Sequence, residues 1–164
     1  MSYAAILAQI KTDLESVTDI GNVHDSVRYS IYDDTYADLY ESDISGQKQI
    51  RAWLITRENV SSQFGPVSSA LGTNVTIPSK QELVKHEISI DAFFGFSDNV
   101  SESEFNTVVD AVYDKFKDKA TFTDTAFVRG PLNCSFDMIM FSKVLCHHAQ
   151  ITFYVLEFNN VTLV

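Results

Sequence analysis

The sequence predicts a single α+β domain, mainly an antiparallel sheet packed by two amphipathic helices, with a long loop or hairpin arm. Two observations carry this. Apolar residues recur at helical spacing in two separated segments, around Leu14 and around Val109, and they alternate with polar ones around Ile90. A third is composition: 164 residues, 45% of them hydrophobic and 21% charged, with only six glycines and three prolines, suit one ordered core over residues 1–164.

The first helix follows from Ile6, Leu7, Ile10, Leu14 and Val17, which form one stripe, with Ser2 placed to cap it. Gly21 suits a left-handed residue in the turn that ends this unit. Val23 to Tyr32 alternates loosely and reads as a strand, and Asp33 to Ser42 as a short helix with Tyr36, Leu39 and Tyr40 on one face. Ile50 to Arg57 is rich in aromatic and β-branched residues and reads as a second strand. In it, Trp53 is expected in the core, while Arg51 and Arg57 are expected at the surface.

Asn59 to Lys80 changes character. It holds seven Ser/Thr residues, two glycines, two prolines and two asparagines, with Phe64, Leu71, Val75 and Ile77 spaced without a period. Loops beyond about 12–15 residues are usually functional or disordered, and the scattered apolar residues favour ordering against a partner. Phe64, Val75 and Ile77 are therefore the candidate assembly contacts.

The next strand is His86 to Phe96, with its even-numbered residues on an apolar face and Glu87, Ser89, Asp91, Phe93 and Gly95 on a mostly wet one. Ser101 and Glu104 fit a capping box, and Phe105, Val108, Val109, Val112, Tyr113 and Phe116 continue the helix it opens. Lys115, Lys117 and Lys119 sit where the helix dipole favours cations. Ala126 to Val128, Asn133 to Ser142 and Leu145 to Phe158 read as strands.

Charge narrows the function classes. Twelve basic against 22 acidic residues leave −10, which opposes a surface built to grip a phosphate backbone. Nine of the acids lie between Lys11 and Lys48, opposed only by Arg28. They read as a solvated face, as a wall repelling a polyanion, or as a patch meeting a basic partner. No apolar run reaches the roughly 18–20 residues that cross a bilayer, and Met1-Ser2-Tyr3-Ala4 has no basic leader. Cys134 and Cys146 are too few for a disulfide framework and suit a reducing compartment.

Motifs for chemistry are missing. No nucleophile elbow, phosphate-binding glycine loop or paired metal-ligand spacing occurs. His147 and His148 would point to opposite faces of a strand, Cys146 and His148 would share one, and Cys134 and His86 are a pair that a sheet could bring together. Asp33 with Asp34, or Asp91 with Asp98, are the carboxylate pairs one would consider, and solvated surface is the plainer account. The expectation is no catalytic, cofactor or metal residue.

Ile20-Gly21-Asn22-Val23-His24-Asp25 after a short helix resembles the opening of tail terminator (tail completion or neck) proteins of long-tailed bacteriophages. Arg51-Ala52-Trp53-Leu54-Ile55-Thr56-Arg57 is similar to that family's central strand, although the usual glycine before the tryptophan is Ala52. The Ser101 to Val112 helix and the Cys146-His147-His148-Ala149-Gln150-Ile151 strand continue the resemblance in family order. It implies a non-enzymatic virion protein without cofactor, assembled in the bacterial host cytoplasm. Its copies would close a ring, commonly a hexamer, at the head-proximal end of the tail tube. There it would stop tube polymerisation, contact tail-tube and head–tail connector proteins, and let DNA pass through the lumen without specific binding. The alternatives are another head–tail connector (adaptor or stopper), a tail-tube subunit, or an enzyme.

Overall fold

The computed structural model describes residues 3–28, 37–44, 46–64, 81–117, 119, 122, 126–141 and 143–160. In chain order these form α1 (Tyr3–Glu15), β1 (Asn22–His24), β2 (Glu41–Ile44), β3 (Gln47–Phe64), β4 (Gln81–Gly95), α2 (Asp98–Lys117), β5 (Ala126–Phe141) and β6 (Val144–Asn160). The six strands build one sheet in the order β1-β3-β4-β6-β5, with β2 pairing β3. Only β1 runs parallel to its neighbour, Val23 opposite Trp53; the other pairings are antiparallel.

Both helices cover one face. Ile6, Ile10 and Leu14 of α1 and Phe105, Val109, Val112 and Phe116 of α2 meet Trp53, Ile55, Ile88, Ile90, Ile151 and Phe153 in the main core. Trp53 anchors it: fully buried, its indole Nε1–H donates to the Ile20 carbonyl at 2.9 Å, tying β3 to the turn before β1. That turn needs Gly21, at φ +82°, because a Cβ there would stand 2.2 Å from the Arg51 carbonyl oxygen.

Several expectations change. The strand expected from Val23 to Tyr32 is only the three residues of β1, and 29–36 lie outside the described residues. The helix expected to reach Ser42 gives way at Glu41 to β2, which folds back on β3 with Ile44 opposite Gln47. Residues 59–64, expected within a long loop or hairpin arm, extend β3: Ser62 pairs with Val84 and Phe64 with Glu82, past an irregularity between Arg57 and Asn59. The rest of that expected arm, 65–80, lies outside the described residues.

The second face of β4 is not mostly wet. Phe93 packs with Tyr40, Phe141 and His148 in a separate apolar cluster, and Ser89 is fully buried. The two strands expected after α2 are one, β5, whose register shifts between Arg129 and Asn133 around a cis Gly130-Pro131 bond. Finally, α2 starts at Asp98, three residues ahead of the expected cap, so Ser101 is inside the helix and cannot be its N-cap. Among the described residues no helix is long and apolar enough to cross a membrane.

Candidate functional site: an apolar groove between α2 and β5

Of the candidate contacts, Phe64 ends β3, and Val75 and Ile77 lie outside the described residues. The residues proposed for chemistry are dispersed or paired off. His147 and His148 do point to opposite faces, as strand alternation requires. His147 stacks on Phe105 at 5.3 Å between ring centres, with Nε2 at 3.0 Å from Ser101 Oγ. His148 Nε2 lies 3.2 Å from Asp91 Oδ1 on the other face. Cys134 lies opposite Ile151 and His86 opposite Val155, so the sheet holds them several residues out of step.

Asp91 accepts three side-chain contacts. His148 Nε2 and Gln150 Nε2 lie at 3.2 Å from its Oδ1, and Ser89 Oγ donates to its Oδ2 at 3.1 Å. Nucleophile activation needs the histidine between hydroxyl and carboxylate; here the carboxylate is in the middle, so His148 pairs with Asp91 and not with Ser89. Of the other acids considered, Asp33 and Asp34 lie outside the described residues. Among the described residues no three His, Cys, Asp or Glu side chains converge as a metal site would require.

Three pairings of polar side chains, each with a buried member, escape sequence reasoning. Arg51 is 3% exposed, its guanidinium 4.6 Å above the Phe94 ring centre and 4.0 Å from Glu104. Burial lowers its pKa, with Glu104 and Asp19 opposing the shift. Asp13, expected in a solvated acidic face, is buried, pairs with Lys119 and accepts from Gln9 Nε2 at 3.1 Å. His86 and Glu157, 71 residues apart, form a buried pair at 3.0 Å. No local pattern announces it, because only sheet register brings them together.

The feature that stands out is a groove of about 780 Å³ between α2 and the edge strand β5. Phe136 and Met138 of β5 point to the same side of the sheet as His147, beyond the cover of α2. Phe136 is 55% exposed, Met138 46%, Met140 66% and Phe96 48%. Val144 and Leu145, at the start of β6, are also exposed. Scattered exposed apolar residues are ordinary; several large ones together mark an interaction surface. On the opposite wall, Glu102, Asn106 and Asp110 recur every four residues along α2, so the rim is acidic. Among the described lining residues there is no lysine or arginine.

Sequence reasoning missed this site because it reads Asn133 to Ser142 as a strand without distinguishing its two faces. The signal available was the unbroken apolar set on alternate positions, Cys134, Phe136, Met138 and Met140, a strand face that needs cover. Comparison of the chain with known protein families and with curated proteins finds no match to either.

Proposed function

We propose that the chain is a structural subunit of a phage tail, a tail terminator whose copies close a ring at the head-proximal end of the tube. It stops tube growth there and offers a surface to the head connector. The observation that carries an assembly role is the exposed aromatic and methionine cluster, Phe136, Met138 and Met140 of the edge strand with Phe96 after β4. Long apolar edges are a liability in a free-standing protein and an asset in one that is covered on assembly. The segments that resemble tail terminators support the rest: β1 and β3 lie side by side, so two of those stretches meet around Trp53. The net charge of −10 suits a lumen through which DNA must slide without sticking.

Ring closure uses two different patches of each copy. Phe64, Val75 and Ile77 remain the proposed contacts for one of them, toward a neighbouring subunit or the tube. Electron microscopy of the purified protein, alone and with tube subunits, tests the reading. Single closed annuli and capped tubes of limited length are expected. Replacing Phe64, Val75 and Ile77 together by serine should abolish the annuli while circular dichroism stays native. Long stacks formed by the protein alone would make it a tube subunit, and catalytic turnover of a substrate would make it an enzyme; either ends the reading.

A further inference from the structure

We propose that the groove between α2 and β5 binds an extended, basic segment of a different protein, with apolar and Lys/Arg side chains alternating toward the groove. This deepens the assembly reading, since it names the chemistry of the neighbour that covers the exposed edge. Shape comes first. Among the described strands β5 has a neighbour, β6, on one side only, so an added strand can continue the ladder. The segment from Asn133 to Phe141 along which it would lie has one charged side chain, Asp137, and no proline to block pairing. Residues of an added strand alternate, and every second one would lie over Phe136, Met138 and Phe96.

Charge then selects the occupant. Glu102 and Asp110 stand eight residues apart on one side of α2, about 12 Å along the helix axis. Side chains four apart on an extended strand are separated by about 13 Å, so two cations flanking one apolar residue match both carboxylates. The aromatic rings beneath add a surface over which a cation is favourably placed. A second copy of this chain is a poor occupant: it carries −10, and its approach to an acidic rim is repelled. A partner with complementary charge gains both rate and selectivity.

The test reads the isolated chain, so its failure leaves ring formation untouched, and failure of ring formation leaves it readable. The probes are two acetylated heptapeptides with threonine at the spacer positions. One carries lysine, phenylalanine and lysine on alternate positions, and the other has both lysines replaced by glutamate. Fluorescence anisotropy of labelled peptides should show binding of the lysine form and at least about tenfold weaker binding of the glutamate form, since two attractions become two repulsions. The double variant Glu102→Lys, Asp110→Lys should invert the preference. Phe136→Ser with Met138→Ser should weaken the lysine peptide by a further large factor, and these side chains are exposed enough to be replaced without unfolding. Equal binding of the two peptides, no binding of either at millimolar concentration, or indifference to the serine variant overturns the proposal. So does peptide-free self-association that the serine variant abolishes, which would make a second copy the occupant.

Discussion

Replacing Trp53 by phenylalanine tests the joint on which the helical face of the sheet depends. The indole is fully buried, donates to the Ile20 carbonyl at 2.9 Å and meets the Phe94 ring edge-on, centres 6.2 Å apart at 89°. Phenylalanine removes the donor and leaves a carbonyl without it in a site that water does not reach, a cost of about 1–3 kcal/mol. The smaller ring also leaves a void, worth roughly another 2 kcal/mol in lost burial and packing. The sum, about 3–5 kcal/mol, is a large part of the roughly 5–15 kcal/mol that holds a domain folded. Urea unfolding followed by far-ultraviolet circular dichroism is the assay, because Trp53 is the chain's single tryptophan and the variant has no indole emission. With a slope of about 2 kcal/mol per molar, the midpoint should fall by roughly 2 M. A loss below about 1 kcal/mol would show that the indole neither holds the Ile20 carbonyl nor fills the core as described.

Gly21→Ala forces a side chain into a left-handed residue and against the Arg51 carbonyl, and should lower Tm by roughly 5–10 °C in a calorimetric scan; an unchanged Tm would mean the turn adopts another path. Burial pushes the Cys146 thiol up to about 11, with a hydrogen bond from the Phe141 backbone opposing, so it stays protonated at mildly alkaline pH. Alkylation monitored by mass spectrometry should therefore label half-buried Cys134 before Cys146, and prompt labelling of Cys146 in native protein would contradict its burial. Burial, with Arg28 next, lowers the pKa of His24 below the ordinary 6.5. A depressed value means the unfolded chain takes up the proton first, so this contribution to stability is complete above pH 6.5 and is lost as pH falls through the lower, folded value. His24→Asn should flatten that decline in urea midpoints; an equal decline in both proteins would place its source elsewhere.

Sequence pattern showed the helices and the middle of the sheet because their signals are local. The stripe from Phe105 to Phe116 repeats within single turns, and the alternation from His86 to Phe94 requires nothing beyond the strand itself. What stayed hidden depends on distant partners. Residues 59–64 look like loop by composition, yet they are held as strand because each has a partner on β4. Arg51 looks like a surface cation until the Phe94 ring and Glu104 are brought beside it. Tyr40 has helical spacing to Tyr36, but its hydroxyl donates to the Arg28 carbonyl and its ring fills the second face against Phe141. The groove was hidden for a related reason. Whether Phe136 is covered depends on how far α2 reaches across the sheet, and no strand pattern encodes that.

The placing of β6 between β4 and β5 has a consequence for how the protein is made. Ile90 finds Ile151, and His86 finds Val155, only across more than sixty residues of intervening chain. On a ribosome adding roughly 5–20 residues per second, β4 waits about 3–13 s for the strand that joins it to β5, whereas β5 waits only about 1–4 s. Until then the apolar faces of both are open to misassociation, and closure, being non-local, is slow. Nascent chains stalled before residue 144 should accordingly engage holdase chaperones, and release should coincide with translation of the segment that zips the two halves together.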